Sequence, residues 1–555
     1  MSLNFRGSHS HIYSFLLLLI AIALITTVRI RFLDFPLERD EGEYAYIAKL
    51  ILHGLEPYKY AYTMKLPGTA LVYALFMSMF GQTVRGIHIG LLISNLAAIA
   101  AVYALVKRLF NPTVAAISAM SYGFLTLHYS FYGFAFHATH LVVLFCTLGL
   151  YFLLIALEKK TPALFLAAGF SLGIGFLMKQ HGMYFFIFAI TFFLYHSLLY
   201  AKQNAKFIVI RLCTLIAAFL LPLILVAAWV HAHGDFKNFF NWTFVYAYTY
   251  VSNETISSSI PRLKITIPNV LRGFQLLWIT ALLGLFLLFL TKLPMWKKVF
   301  INMLLFFAIL AVSAGLYFAP HYFIMLLPVA AIFIAIAIEA LSTLLTNKLK
   351  LPSTALIIFL IIAATGFWSD RNYFFKLPLP TISHTIYNKN PFNEAPMIAD
   401  IIKTNTAKND KIAVLGSEPE ILFLADRISV TGYIYTYGLM EIHPGNLSMQ
   451  KELIMELIAN PPKLIVFCHM YKSWAPRNNS PMYIFEWLQK NMFRQYEKIA
   501  VFNYLENGKY LYVLGEDAKI YNPSSDEYIL ILKQKDGIDK SFDVTKVVFV
   551  TYYMT

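Results

Sequence analysis

Eleven apolar runs of near-spanning length occupy the first two thirds of the chain. They fall at about 13–33, 86–106, 112–131, 138–157, 161–178, 183–200, 207–230, 272–291, 299–318, 322–345 and 351–369. A hydrocarbon core takes roughly 20 apolar residues per crossing helix, and inside it a helix pairs its own backbone N–H and C=O groups. One soluble globule is therefore excluded, and the chain reads as an α-helical polytopic membrane protein. Composition agrees, because only 14% of the 555 residues are charged, against about 25% in soluble domains.

The distribution of charge sets the topology. Residues 1–369 hold 25 basic and 10 acidic side chains, and residues 370–555 hold 20 of each. The net charge of +15 thus belongs to the membrane part, which argues against nucleic acid, a partner that needs a basic patch on a soluble face. Lys107-Arg108, Lys159-Lys160, Lys202 with Lys206 and Arg211, Lys292 with Lys297-Lys298, and Lys348 with Lys350 fall in alternate loops. The positive-inside rule makes that side cytoplasmic. The run 13–33 is followed by no small-residue cleavage site and is expected to stay as an uncleaved first helix. Residues 34–85, His128 to His140, Lys179-Gln180-His181, 231–271, Pro320-His321-Tyr322 and everything after 369 then lie outside. Cys146, Cys213 and Cys468 do not make a disulfide framework.

Six of those ten acidic residues sit between Asp34 and Glu56, in the first segment able to leave the membrane. Charges beside lipid are costly and mark sites. The core of the cluster is Arg39-Asp40-Glu41-Gly42-Glu43-Tyr44, followed by Met64-Lys65-Leu66-Pro67-Gly68. Tyr44, Ile47, Ala48 and Ile51 recur at helical spacing from Asp40 to a glycine stop at Gly54. A second piece starts at Pro67, a favoured first helical position, and stops at Gly81. Both are expected to lie in the interface rather than to span.

After residue 369 the hydrophobic runs shorten and charge becomes dense. Strands are expected at 411–415, 463–467 and 509–514 and helices at about 394–405, 449–459 and 481–493, giving an extracytoplasmic α/β domain over 370–555 beside a membrane domain over 1–369. Further strand-like runs lie at 528–532 and 547–550. Gly416 after the first strand is no dinucleotide fingerprint.

Taken in order, these motifs resemble a known superfamily. Asp40-Glu41-Gly42-Glu43-Tyr44-Ala45, then Lys65-Leu66-Pro67-Gly68, then a helix ending at Phe80-Gly81, is similar to the GT-C glycosyltransferases that use polyprenyl-phosphate sugars. The nearest branches are the bacterial protein O-mannosyltransferase-like proteins and the lipid A aminoarabinose transferase-like proteins. Gly173-Ile174-Gly175-Phe176-Leu177-Met178-Lys179-Gln180 and His321-Tyr322 with Pro328 resemble later motifs of the group. Met64, where some relatives carry an acid, and His88, where an Arg is often found, depart from it. The resemblance implies transfer of a sugar from a polyprenyl-phosphate donor to a hydroxyl of a lipid glycan, polysaccharide or protein, at the periplasmic face of a bacterial cytoplasmic (inner) membrane. It implies Asp40 as general base with Glu41 beside it, and Lys65, Lys179 and His321 as contacts to the donor phosphate.

Each residue also has a plainer reading. Asp40 with Glu43 spells Asp-x-x-Glu, the pattern of a helix cap. Lys65, Lys179 and Arg85 are placed as snorkelling span-end cations would be. Glu41 is equally a solvated neighbour. Glu43, Arg85, His137 and His140 are further candidates, the last two as a histidine pair without a third ligand, so no metal or other cofactor is expected. The alternative function is a transporter or flippase for a lipid-linked glycan or small solute, which would show polar or broken helices at mid-membrane.

Overall fold

The computed structural model describes residues 11–252, 254–349, 354–505 and 510–535. The chain falls into two compact units, Met1–Gly54 with Met64–Ile386, and Leu55–Thr63 with Tyr387–Thr555.

The first unit is helical. Its opening elements are α1 (His11–Arg31), α2 (Arg39–Leu52), α3 (Gly68–Phe80), α4 (Val84–Leu109), α5 (Pro112–Leu125), α6 (Ala138–Lys159) and α7 (Pro162–Met178). Among the described residues, seven helices are long and apolar enough to cross a membrane, or eight if the pair Ile256–Arg272 and Gln275–Leu290, bent by 103°, counts as one crossing. The chain is a multi-pass membrane protein. Shorter apolar helices are Gly68–Phe80, Pro112–Leu125, Pro162–Met178 and Thr354–Ser369. Their starts follow from local chemistry. The Asn111 side chain accepts the Val114 N–H at 2.9 Å with Pro112 in the first turn, and Thr83 accepts the Gly86 N–H at 3.1 Å, each supplying an acceptor the helix itself lacks.

The helix Leu327–Leu349 forms the core of this unit, with Val329 through Ile338 fully buried. It packs against α5 and Gln275–Leu290. The basic loops meet at one end. Arg108 pairs with Glu158 at 3.3 Å, Lys297 donates to the Leu109 carbonyl at 2.7 Å, and Lys160 donates to Gln203 at 3.3 Å. At the other end Arg29, buried in the last turn of α1, donates to the carbonyls of Gly133 and Thr126. Those bonds pin the irregular stretch that leads into His137.

The capping of α2 differs from the Asp-x-x-Glu reading. The cap is Glu38, whose carboxylate accepts the Glu41 N–H at 2.9 Å while Glu41 Oε2 accepts the Glu38 N–H at 3.4 Å. The box sits two residues upstream of the expected one, so Asp40 and Glu43 are not the capping pair. Helix α3 begins where Pro67 and Gly68 place it, for a steric reason. A Cβ on Gly68 would lie 2.5 Å from the Leu177 carbonyl oxygen, so glycine lets α3 start against the end of α7.

The second unit is built on a five-stranded sheet, β1 (Ile412–Leu415), β2 (Leu464–His469), β3 (Tyr496–Tyr504), β4 (Tyr510–Leu514) and β5 (Tyr528–Gln534), in the order β1-β2-β5-β3-β4. The β1–β2 pair is parallel, with Val414 opposite Val466, and the other pairs are antiparallel. Helices Ala395–Asn405, Asn446–Ala459 and Tyr483–Gln495 accompany it. Strand β3 was not expected, because Glu497, Lys498 and Asn503 interrupt its apolar alternation. The run 547–550 lies outside the described residues. Segment Leu55–Thr63 belongs to this unit through Tyr62, whose N–H bonds the Gly432 carbonyl at 2.6 Å and whose hydroxyl bonds Glu456 at 2.9 Å.

Candidate active site

Six of the predicted residues converge at the end of the membrane unit opposite the basic loops. Lys65, on the turn before α3, lies 2.7 Å from Asp40 Oδ1 and 2.5 Å from Glu43 Oε2, both on α2, with its ammonium 4.4 Å from the centre of the Tyr44 ring. Asp40 and Glu43 are three residues apart and so share a helix face. The other Asp40 oxygen, Oδ2, faces two imidazoles, 3.8 Å from His137 Nδ1 and 4.0 Å from His321 Nε2. Those rings stack at 4.0 Å and 7°. Lys179, at the end of α7, holds its ammonium 4.3 Å from the centre of the Tyr322 ring.

Environment sets the charges. Burial would raise the Asp40 carboxyl, but Lys65 beside it, with His321 and His137, outweighs burial and holds it well below the usual carboxylate range. Lys65 is pressed downward by burial and driven well above its ordinary value by Asp40 and Glu43. Burial lowers Lys179 to about 8, with Asp40 opposing and Lys65 reinforcing the shift. Burial likewise pushes His137 down to about 4, so it is neutral at physiological pH. Glu38 is raised well above its usual range, by burial first and then by Asp40 and Glu41. The cluster is open on one side, since Asp40 and Lys65 keep 23% and 18% of their side-chain surface exposed while Glu43 keeps 4%.

The remaining predicted residues go elsewhere. Glu41 is fully buried; its Oε1 lies 3.1 Å from His88 Nε2 and accepts the Phe136 N–H at 2.6 Å. It ties α2 to α4 and to the segment before α6, which makes it a positioning residue. His88 therefore stands as the partner of Glu41. Arg85 pairs with Asp34 at 2.5 Å on the surface, away from Lys65. His140 is buried one turn into α6 and does not join the group formed by Asp40, His137 and His321. Sequence reading missed Glu38, which lies 3.7 Å from His137. The signal was present as one more acid directly upstream of Arg39.

The second unit contains a cavity of about 1000 Å³ lined by His469, Tyr471, Trp474, Phe485, Lys389 and Glu527. The ion pair Lys389–Glu527 there, at 2.9 Å, is 41% and 19% exposed. An exposed pair of that kind carries little energy, whereas a lysine held between two carboxylates is the arrangement an incoming anion can open.

The family described as dolichyl-phosphate-mannose-protein mannosyltransferase matches residues 64–229, a stretch that contains Lys65, His137 and Lys179. No curated protein sequence matches the chain. Among solved structures, ArnT from Cupriavidus metallidurans bound to undecaprenyl phosphate is similar with a TM-score of 0.54 and 13% identity, over 94% of this chain and 98% of that one. The Archaeoglobus fulgidus oligosaccharyltransferase tethered with an acceptor peptide gives 0.52 and 13%, over 91% of this chain and 74% of that one. The archaeal oligosaccharyltransferase AglB from Archaeoglobus fulgidus, in complex with an inhibitory peptide and a dolichol-phosphate, gives 0.51 and 14%, over 91% and 74%. At such identities the likeness is one of architecture, and this chain shares the fold of these membrane proteins.

Proposed function

We propose that the chain is a membrane glycosyltransferase that moves a sugar from a polyprenyl-phosphate donor to a hydroxyl of a lipid glycan, polysaccharide or protein. The observation that carries this reading is Lys65 held between Asp40 and Glu43 at an accessible end of the membrane unit. In the reaction the acceptor oxygen bonds to the anomeric carbon, the bond from that carbon to the phosphate oxygen breaks, and polyprenyl phosphate leaves with the electron pair. The acceptor proton passes to Asp40. Lys65 in the empty site neutralises the carboxylates. An arriving phosphate competes for it, so donor binding transfers the cation to the leaving group, where charge develops, and restores basicity to Asp40. Lys179 supplies a second cation, His321 a polar contact, and Glu41 with His88 fixes α2.

Eleven crossings follow if the seven long helices are joined by Gln275–Leu290, Pro112–Leu125, Pro162–Met178 and Thr354–Ser369, with Gly68–Phe80 in the interface. Pro112–Leu125 is only about 21 Å long at the helical rise, so its crossing is completed by the irregular stretch after it. The convergence of basic loops at one end and the Asp40 cluster at the other supports a cytoplasmic and a periplasmic face, respectively, in a bacterial inner membrane. A transporter is the weaker reading, because these charges gather at an end rather than midway.

Reconstituted protein supplied with a polyprenyl-phosphate sugar and an envelope extract should release free polyprenyl phosphate and label a glycan, lipid or protein. Movement of intact donor across the bilayer with no such release would favour transport instead. The pH dependence gives a separate check on Lys179. This group is charged below about 8, so donor affinity should be full on the acid side and decline as pH rises through that value. The decline should vanish in Lys179→Met, whose affinity is already reduced. A donor KM that stays flat through pH 8 in the wild type removes Lys179 from the phosphate site.

A further inference from the structure

We propose that the cavity of about 1000 Å³ in the second unit is a binding site for an uncharged glycan chain. The inference deepens the transferase reading, on which it rests for its biological sense, and it shares no residue with the Asp40 cluster. The cavity lies where a sheet of this kind favours a ligand, beyond the carboxyl end of a parallel strand at a change of strand direction. Strand β2, parallel to β1, ends at His469 and runs on into Tyr471 and Trp474, while β5 lies antiparallel beside it with Tyr528 opposite His469.

A sugar ring presents an apolar face of C–H bonds and a rim of hydroxyls, so a site for it needs flat rings with paired donors and acceptors between them. The wall supplies both. His469 stacks on Tyr528 at 4.6 Å and 17°, and the Trp474 ring, 4.6 Å from Phe485, is locked by its Nε1–H, which donates to the Cys468 carbonyl at 2.8 Å. Tyr471 lines the same cavity and keeps 65% of its surface exposed. The polar groups are held in place as well. His469 Nδ1 lies 2.8 Å from the Asp526 carbonyl; a carbonyl only accepts, so Nδ1 carries the proton and Nε2 of the neutral ring is an acceptor. Asn503 fixes the turn before Asp526, donating to Ser524 Oγ at 2.9 Å and accepting the Ser525 N–H at 3.3 Å. Lys389 and Glu527 form an exposed pair that costs little to open, and once open it offers an ammonium to one hydroxyl oxygen and a carboxylate to the next hydroxyl hydrogen.

Size and charge select the ligand. A volume of about 1000 Å³ stands at the upper end for small-molecule pockets, roughly 300–1,000 Å³, and so takes several sugar rings rather than one. The ionisable groups on its wall are Lys389, His469, Asp526 and Glu527, one fixed cation against two carboxylates. A phosphorylated or uronic-acid glycan meets net negative charge there and is repelled. A long apolar chain would bury those charges without partners. A neutral oligosaccharide does neither.

The test is binding of neutral tetrasaccharides of glucose, mannose, galactose or N-acetylglucosamine to the full chain, purified without donor in a detergent lacking a sugar head group, and read by calorimetry and ligand-observed NMR. At least one should saturate a single site, and tetragalacturonate should bind more weakly than the galactose tetramer. Tyr471→Ala and Glu527→Gln should each weaken binding about 10-fold, while Tyr248→Ala, a tyrosine of the membrane unit that is 76% exposed, should bind as the wild type does. Tyr471 is largely exposed, so its variant should also melt as the wild type does, which separates a lost contact from a lost fold. Absence of saturation by every neutral tetrasaccharide overturns the site. So does undiminished binding by both cavity variants, equal loss in Tyr248→Ala, tighter binding of tetragalacturonate, or saturation by an unstructured Ser/Thr peptide and by no saccharide. Donor turnover is scored separately. Turnover by protein that binds no saccharide removes the cavity site and leaves the transferase, whereas saccharide binding without any turnover retains the site and removes the transferase.

Discussion

Asp40→Asn should cut sugar transfer by about 100-fold or more while the protein still folds and inserts. The size follows from removing a positioned proton acceptor, which typically costs two to four orders of magnitude. Preservation of the fold follows from the geometry. The amide oxygen of Asn can still accept the Lys65 hydrogen bond made by Oδ1 at 2.7 Å, and Glu43 at 2.5 Å still pairs the ammonium, so no buried cation is stranded. Helix capping is untouched because the capping box belongs to Glu38 and Glu41. Asp40 is held well below the usual carboxylate range, against burial, chiefly by Lys65, so it is a weak base in the empty site. Its basicity should recover when the donor phosphate draws Lys65 away. The measurement is single-turnover transfer by purified protein at saturating donor, with thermal melting alongside. Near-normal turnover would remove Asp40 from the chemistry.

Much of this site was legible in the chain, and what was not has physical reasons. The apolar runs located the helices because hydropathy is the dominant constraint inside a bilayer. The acids of the first loop were conspicuous against so few elsewhere, and Lys65-Leu66-Pro67-Gly68 announced a tight entry into α3, which the approach of Gly68 to Leu177 explains. Sequence could not decide which acid caps α2. Glu38, Asp40 and Glu41 all lie near the first turn, and the choice is made by the extended backbone at Glu38 and by the burial of Glu41 against His88 and Phe136. Nor could spacing reveal His137 against His321, since their stacking depends on the packing of distant helices rather than on a local period. The pairing of His137 with His140 was natural for a helix, but His137 is the residue before α6 and turns toward Asp40 while His140 stays in the helix. The tyrosines between Leu55 and Thr63 gave no sign of their partners, and Tyr62 meets Tyr433 edge-on at 4.9 Å within the second unit. A tyrosine-rich composition does not disclose which partner its side chains will find.

Lys65→Met should abolish detectable donor-dependent transfer and also destabilise the protein, and the two effects can be separated. Lys65 answers Asp40 at 2.7 Å and Glu43 at 2.5 Å, so its loss leaves two carboxylates facing each other across a partly buried space. Breaking a buried pair costs 3–5 kcal/mol; with Asp40 and Lys65 about a fifth exposed, the cost here should fall near the lower end, about 3 kcal/mol. Lys65→Arg keeps the positive charge and should restore most of that stability. A guanidinium is a planar fork rather than a compact point charge, so it should not recover the arrangement of both carboxylates and phosphate, and transfer should stay at least ~10-fold below the wild type. The decisive comparison is therefore between melting temperature and donor kinetics across Lys65→Met and Lys65→Arg. If Lys65→Arg recovers turnover in proportion to stability, Lys65 is a structural counter-ion for Asp40 and Glu43. If stability returns while donor saturation and rate remain impaired, the lysine acts on the phosphate itself, because only a ligand that competes for the cation makes activity depend on the shape of the charge as well as its sign.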